Sequence, residues 1–382
     1  MIYLDNSATS SIKPQPVRNA VYSAMRYYAA NPGRSGHRLS IRTAEAVYRT
    51  RSAFRRFFHT RCEEDVIFTP GCTYSLNMVL KGVLRDGDHV VISSMEHNAV
   101  LRPLERMKGE RRITYTVAPL GHDDDDTLDH FRHAINTRTR LIVCTGASNV
   151  FGTRLPTRRI CALAHQYGIR FCLDAAQVAG ITPIDMIDDG YDYVCIAGHK
   201  GLYGIEGAGA LLLNSDDMLD PLVEGGTGSD SASSSMPAYY PDRLESGTLN
   251  IPGILSMGAG IRFLEMMGVE RVMRREMTHI RSLYERFEQM DGVLLYTPMP
   301  DAERFVPVLS FNIRGMDSEK VAELLDRRYG IATRAGLHCA PLAHRAMGTE
   351  GLGTVRVSPS VFTTERDMKI LADAVYNFQK SP

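Results

Sequence analysis

Five short apolar runs, none alternating with polar residues, set the class of fold open to this chain. They are DHVVIS (88–93), RLIVCTG (140–146), IRFCLDAA (169–176), YDYVCIAG (191–198) and GAGALLLN (207–214). A strand with one wet face alternates apolar and polar residues, whereas a strand covered on both faces does not. Between two of the runs, LPTRRICALAHQYG carries Pro156 near its start and Gly168 as a stop. Ile160, Leu163, Ala164 and Tyr167 fall between them at helical spacing. The unit is β-α-β, and its repetition predicts an α/β fold with a mostly parallel central sheet flanked by helices.

After YYPDRLESGTLNIPG (239–253) the pattern changes to a long helical stretch, a candidate boundary and bridging helix. Beyond it RFVPVLSFNI, SEKVAELLDRRYG, TVRVSPS and TERDMKILADAVYNF predict a smaller α+β domain. A chain of 382 residues is long for one compact core, so two domains are expected. The 44 lysines and arginines offset 44 aspartates and glutamates, which argues against nucleic acid or an anionic membrane as partner. No run of eighteen apolar residues occurs, and MIYLDNSATSS lacks the features of a signal peptide, so a soluble, cytoplasmic protein is expected. Seven cysteines without a C-x-x-C pair suggest neither a disulfide framework nor zinc. GSDSASSSMPA (228–238) reads as an exposed loop and HDDDD (122–126) as a solvated turn before a helix, with no metal site expected.

The stretch IAGHKGLYGIEG (196–207) places Lys200 among glycines just after an apolar run. Two further signals bear on it. In CLDAAQVAG, Asp174 and Gln177 stand at the carboxyl end of a predicted strand, where ligands of open α/β sheets bind. Asp174 would serve equally as a helix cap if nothing else were present. In FTPGCTYSLNMVL, Gly71, Cys72 and Thr73 open a helix whose free N–H groups and hydroxyl suit a phosphate. Lysine for a Schiff base, carboxylate for a pyridinium nitrogen and anchor for a phosphate are what pyridoxal 5'-phosphate requires. On this reading the glycines let the backbone approach a flat cofactor.

The segments YLDNSAT, NPGRSGHRLS, SSMEHNAVLRPL, ASNVFGT, LDAAQ, GHKGLYG, ESGTLNIPG, RAGLHCAPLAH and GTVRVS occur in order from residue 3 to about 358. Together they resemble the class V aminotransferase family, in its cysteine desulfurase and selenocysteine lyase branch. The resemblance implies fold type I of the pyridoxal phosphate enzymes and a homodimer with active sites at the subunit interface. It makes Lys200 the Schiff-base lysine, Asp174 the partner of the ring nitrogen, Gln177 that of the ring hydroxyl, and His97 the residue stacked on the ring. Thr73 and His199 match phosphate ligands, with Thr248 donated by the neighbouring subunit. Asn149 and Arg356 match the grip on the substrate carboxylate, and Cys339 matches the nucleophile. The expected division is a large domain of residues 16–247 and a small domain of 1–15 with 248–382.

Cys339 also stands out by itself, in a Gly/His/Pro-containing loop beside His338 and Arg334, where positive neighbours favour thiolate. Cys144, Cys172 and Cys195 lie in predicted buried strands and read as core, while Cys62 and Cys161 read as helical. Two positions depart from the family pattern. Ala197 stands where many relatives carry a hydroxyl that reaches the phosphate, leaving Cys72 and backbone groups as anchors. Leu337 replaces the first of two histidines in the cysteine loop. The implied reaction takes L-cysteine to L-alanine with a persulfide on Cys339, passed on to another thiol or an acceptor protein. Open alternatives are a selenocysteine lyase, another class V enzyme (transaminase, C–S lyase or epimerase), and a cofactor-binding scaffold for a sulfur acceptor. Intact Lys200, Asp174 and Arg356 speak against the scaffold.

Overall fold

A computed structural model describes residues 1–33 and 35–380; Arg34, within NPGRSGHRLS, and residues 381–382 lie outside it. The described strands are β1 (Ile2–Tyr3), β2 (Val66–Thr69), β3 (His89–Ser93), β4 (Thr114–Ala118), β5 (Thr139–Thr145) and β6 (Arg170–Asp174), followed by β7 (Tyr193–Ala197), β8 (Gly209–Leu213), β9 (Val293–Leu295), β10 (Leu309–Ile313), β11 (Ile331–Ala332) and β12 (Val355–Val357). Seven form one sheet in the order β2-β8-β7-β6-β5-β3-β4. From β7 to β4 every pairing is parallel. β8 runs antiparallel to both β7 and β2. The expected α/β architecture is therefore present, with one reversed strand that an apolar run has no means of signalling.

The buried runs became strands because both faces are covered: every residue of β3, β7 and β8 is buried. β4 lies at the sheet's edge and alternates exposed with half-buried residues, so TYTVA carries no continuous apolar run. Crossover helices follow the strands. Asp123 caps the helix Asp124–Ala134 by accepting from the Asp126 N–H, which gives the HDDDD turn its purpose.

The long helical stretch is two helices, Ile251–Met267 and Val269–Glu288, separated by Gly268 at φ 81°. A non-glycine residue pays a steric penalty there, so the glycine sets the break. The first helix is apolar on nearly all sides, and Ile254, Met257, Ile261 and Leu264 join the core beneath the seven-stranded sheet. The second turns Met277, Ile280, Leu283 and Phe287 toward a separate core that includes Leu4, Phe311, Val355 and Leu371. That core covers a three-stranded antiparallel sheet, β12-β10-β9, and the β1–β11 pair. The expected boundary after residue 247 assigns helix Ile251–Met267 to the second unit, although its buried face belongs to the first core.

Candidate active site

The sheet sets out the site along one edge. Asp174 ends β6, Lys200 follows β7 by three residues, and His97 and Asn149 each follow a strand, β3 and β5, by four. Gly71 lies two residues beyond β2, where the helix Cys72–Val83 begins. Parallel strands bring all these loops to the carboxyl edge, where a ligand meets many loops at once. Cys72, Thr73, His97, Asn149, Asp174, Gln177, Ala197, His199 and Lys200 line one cavity of about 570 Å³ there. Thr248, Cys339 and Arg356 do not line it.

Lys200 makes no hydrogen bond through its ammonium among the described contacts. Burial draws its pKa below the ordinary lysine value; Asp174 opposes this, while Arg356 and Arg334 reinforce it. A lowered pKa favours the neutral amine, the form that acts as base or nucleophile. Asp174 is buried, and its Oδ1 accepts from the Ala176 N–H at 2.9 Å and the Cys72 thiol at 3.2 Å. Its other oxygen has no protein donor among those contacts. The acid thus caps a turn with one oxygen and leaves the other open toward the cavity, so the capping role does not compete with a ligand.

The glycines flanking Lys200 answer to the protein around them. A Cβ on Gly198 would lie 2.4 Å from Met257 Sδ and 2.7 Å from the Ala208 carbonyl oxygen. On Gly201 it would lie 2.3 Å from the Ala179 carbonyl oxygen, and on Gly204 2.8 Å from the Gly198 carbonyl oxygen. Protein packing alone thus calls for glycine at these positions: the lysine loop is pressed between the 175–182 turn and helix Ile251–Met267.

A polar cradle stands beside the lysine. Gly71 precedes helix Cys72–Val83 without a side-chain cap, and its carbonyl accepts from Tyr74 and Ser75 N–H. The N–H groups of Cys72 and Thr73 are therefore left facing outward. His199 Nδ1 is buried without a partner among the described residues, and burial pushes the ring's pKa down to about 4, so it is neutral. An unpaired buried polar atom is costly unless a ligand completes it. Gln177 donates to the Ser7 carbonyl at 3.2 Å, leaving its amide oxygen toward the cavity.

His97 caps helix Asn98–Glu110, accepting the Ala99 N–H on Nδ1 at 3.0 Å. That bond puts the proton of the neutral ring on Nε2. Burial lowers its pKa as well.

Cys339 is exposed at the rim, with Arg334 donating to its sulfur at 3.8 Å. His338 and Cys339 both take left-handed backbone, φ 51° and 55°, uncommon for consecutive non-glycine residues. The loop is held there: the Asn98 N–H donates to the Cys339 carbonyl at 2.7 Å and the Asn149 amide to the His338 carbonyl at 2.8 Å. Buried His338 stacks on His344, which bonds Thr349 at 2.7 Å. Burial, with Arg356 and Arg334 adding to it, pushes His338 down to about 2, so it brings no positive charge to Cys339. Arg334 alone supplies that charge. Leu337 is exposed beside the cysteine.

Arg356 is fully buried on β12. Its two terminal nitrogens donate to Asp5 and to the Asn149 carbonyl, and its Nε has no partner among the described residues. The two-pronged grip expected of it is already occupied on the protein side. Asp5 escaped the sequence reading, although it lies in YLDNSAT, because nothing local distinguishes it; its partner is 351 residues away. Thr248 is exposed and does not line the cavity of its own chain.

Cys144, Cys172 and Cys195 are buried as expected, Cys161 lies on helix Thr157–Gln166 as expected, and all seven cysteines are free. Cys62 differs from expectation: it is the residue before the short turn Glu63–Asp65 rather than helical. Among the described residues no cluster of metal-ligand type occurs, and no helix is long and apolar enough to cross a membrane.

The sequence profile of the aminotransferase class-V family matches residues 2–371. A probable cysteine desulfurase of Methanothermobacter thermautotrophicus is 32% identical over 98% of this chain and 94% of its own length. A cysteine desulfurase of Synechococcus elongatus is 30% identical over 99% of this chain, which spans 60% of that longer protein. The apo structure of cysteine desulfurase from Thermococcus onnurineus NA1 superimposes with a TM-score of 0.92 at 28% identity, covering 100% of this chain and 95% of that one.

Proposed function

Since the chain belongs to the aminotransferase class-V family, we propose that it is a pyridoxal 5'-phosphate-dependent cysteine desulfurase. The observation that carries the reading is one cavity joining an unpaired Lys200, a half-satisfied Asp174 and an open helix N-terminus, with the Cys339 loop tied to its rim. These residues fit the cofactor: unpaired His199 Nδ1 and the free N–H groups after Gly71 suit a phosphate, and the open oxygen of Asp174 suits a ring N–H. Thr73 would join the phosphate set, Gln177 the ring hydroxyl, His97 the ring, and Lys200 the aldehyde carbon. Bound pyridoxal phosphate would supply a sink for the electrons released at the substrate α-carbon.

Everything else falls to the chain. Lys200, whose burial favours the neutral amine, takes and returns the α-proton at Nζ. Asn149 and Arg356 hold the substrate carboxylate, Arg356 by exchanging its contact with Asp5. Cys339 Sγ, with the Arg334 guanidinium beside it, attacks the cysteine sulfur as the thiolate: the S–S bond forms, the C–S bond breaks, and the carbon is reprotonated to give alanine. The persulfide passes to a thiol or acceptor protein. The enzyme works in the cytoplasm as a homodimer, Thr248 of a second copy completing the phosphate site, with residues 16–247 as the large domain and 1–15 with 248–382 as the small one.

The test is incubation of the purified protein with L-cysteine and a reductant. Sulfide and alanine are expected in equal amounts, with both lost in Lys200→Ala. Without reductant, mass spectrometry is expected to find one extra sulfur on the Cys339 peptide, and Cys339→Ala to keep the cofactor's visible band while losing sulfide release. Sulfide accompanied by pyruvate instead of alanine refutes the assignment.

A further inference from the structure

Cys72 lines the cavity but cannot serve as a second nucleophile. It is buried, and burial with the neighbouring Asp174 charge holds its thiol well above the ordinary value, so it remains an S–H donor. Two acceptors lie within reach: Asp174 Oδ1 at 3.2 Å and the Cys195 carbonyl at 3.3 Å. The carbonyl is already served by the Ala175 N–H at 2.9 Å. A hydrogen bond to a charged oxygen is the stronger of the two, which assigns the proton to Asp174.

With the Ala176 N–H on the same atom, Oδ1 then holds two donors. A carboxylate pinned through one oxygen cannot rotate, and the other oxygen keeps a fixed aim. We propose that Cys72 is a positioning residue for Asp174: its thiol fixes the plane of the carboxylate, setting how firmly the cofactor's ring nitrogen is held and charged. This rests on the reading that the cavity holds pyridoxal phosphate. It replaces the sequence-based role of Cys72 as a side-chain anchor for phosphate, since the thiol points at the acid and only its backbone N–H is left for an anion.

Lys200, His97 and Glu96 also interact electrostatically with Asp174. A change confined to Cys72 leaves those groups in place. Without the thiol, the carboxylate turns out of line with the ring nitrogen, which is held less firmly and carries less positive charge. A nitrogen elsewhere on the same conjugated system then keeps its proton to higher pH.

The experiment titrates the visible band of the holoenzyme with pH in wild type, Cys72→Ala and Cys72→Ser, and follows loss of cofactor on dilution. Cys72→Ala is expected to move the midpoint upward by roughly 0.5 pH unit. It should also release cofactor about ten-fold faster, the factor one hydrogen bond to a charged group is worth. Cys72→Ser, which restores a donor, should return both toward wild type, an outcome that simple loss of packing does not give. If the alanine variant fails to fold, Cys72→Val supplies a similar volume without a donor. An unmoved midpoint in the donorless variant, or a serine variant behaving like alanine, overturns the proposal. A wild type that takes up no pyridoxal phosphate overturns instead the reading beneath it.

Discussion

Replacing Gly201 by alanine tests whether backbone packing fixes the lysine loop. The new Cβ would stand 2.3 Å from the Ala179 carbonyl oxygen and 3.1 Å from Ile181 Cγ1. A carbon and a carbonyl oxygen settle at about 3.3–3.6 Å, so the two segments must part by roughly 1 Å. Neither yields easily. Ala179 and Thr182 are bonded back to Ala175 and Val178 at 2.9 Å each, and the loop is closed by Tyr203 N–H to the Lys200 carbonyl at 2.9 Å and Gly204 N–H to the Gly198 carbonyl at 2.8 Å. Overpacking of this kind costs about 1–3 kcal/mol, to be read from urea unfolding. A reacting group displaced by about 1 Å loses about 100-fold in rate, to be read from kcat/KM for sulfide release. Gly109→Ala is the control: nothing lies within 4 Å of its Cβ, on the helix Asn98–Glu110, and about 0.4–1 kcal/mol of added stability is expected. If Gly201→Ala keeps wild-type stability and turnover, the packing account of the loop is wrong.

Three other outcomes are expected. Glu245 accepts from both terminal nitrogens of buried Arg51 at 2.9 and 2.8 Å and from the Phe68 N–H at 2.6 Å; Glu245→Ala should cost about 3–5 kcal/mol in urea unfolding by stranding the guanidinium, and a loss below 1 kcal/mol would contradict this. Burial raises the Glu276 carboxyl to about 8, above its unfolded value. Its stabilisation is therefore complete at acid pH and declines as pH rises toward 8, with a slope approaching about 1.4 kcal/mol per unit, and Glu276→Gln should flatten that decline. Identical urea-midpoint profiles against pH in the two proteins would count against it. Asp174→Ala should retain the cofactor's visible band yet lose most turnover, and activity within a few-fold of wild type would reduce Asp174 to a turn cap.

What could be read from the sequence follows physical lines. β3, β5, β6, β7 and β8 were legible because burial on both faces leaves continuous apolar runs, and the ends of the observed strands fall within one or two residues of those runs. The edge strand β4 was not, because half its surface is wet. The reversal of β8 was not, because direction leaves no mark on composition. Lys200, Asp174 and Cys72–Thr73 were legible as chemistry at strand ends and a helix start. Asp5 and the Cys72–Asp174 contact were invisible, since each depends on a partner brought in by the fold from 351 and 102 residues away. The glycines near Lys200 were noticed, but the protein segments that crowd them were not: a sequence tells that backbone comes close to something, not to what.

The bonds between residues 5–7 and 356–358 also set an order in time. Asp5 reaches Arg356 and the Ser7 N–H reaches Ser358 Oγ, each across 351 residues. Contacts so far apart in the chain close late, after loop entropy has been overcome. During synthesis the lysine, the aspartate and the phosphate cradle, all between residues 71 and 200, leave the ribosome while the arginine is still untranslated. The nascent protein therefore acquires the groups proposed to hold the cofactor well before Arg356 and Cys339 exist. The site is complete only once the last described strand has been made and the first residues have folded back against it.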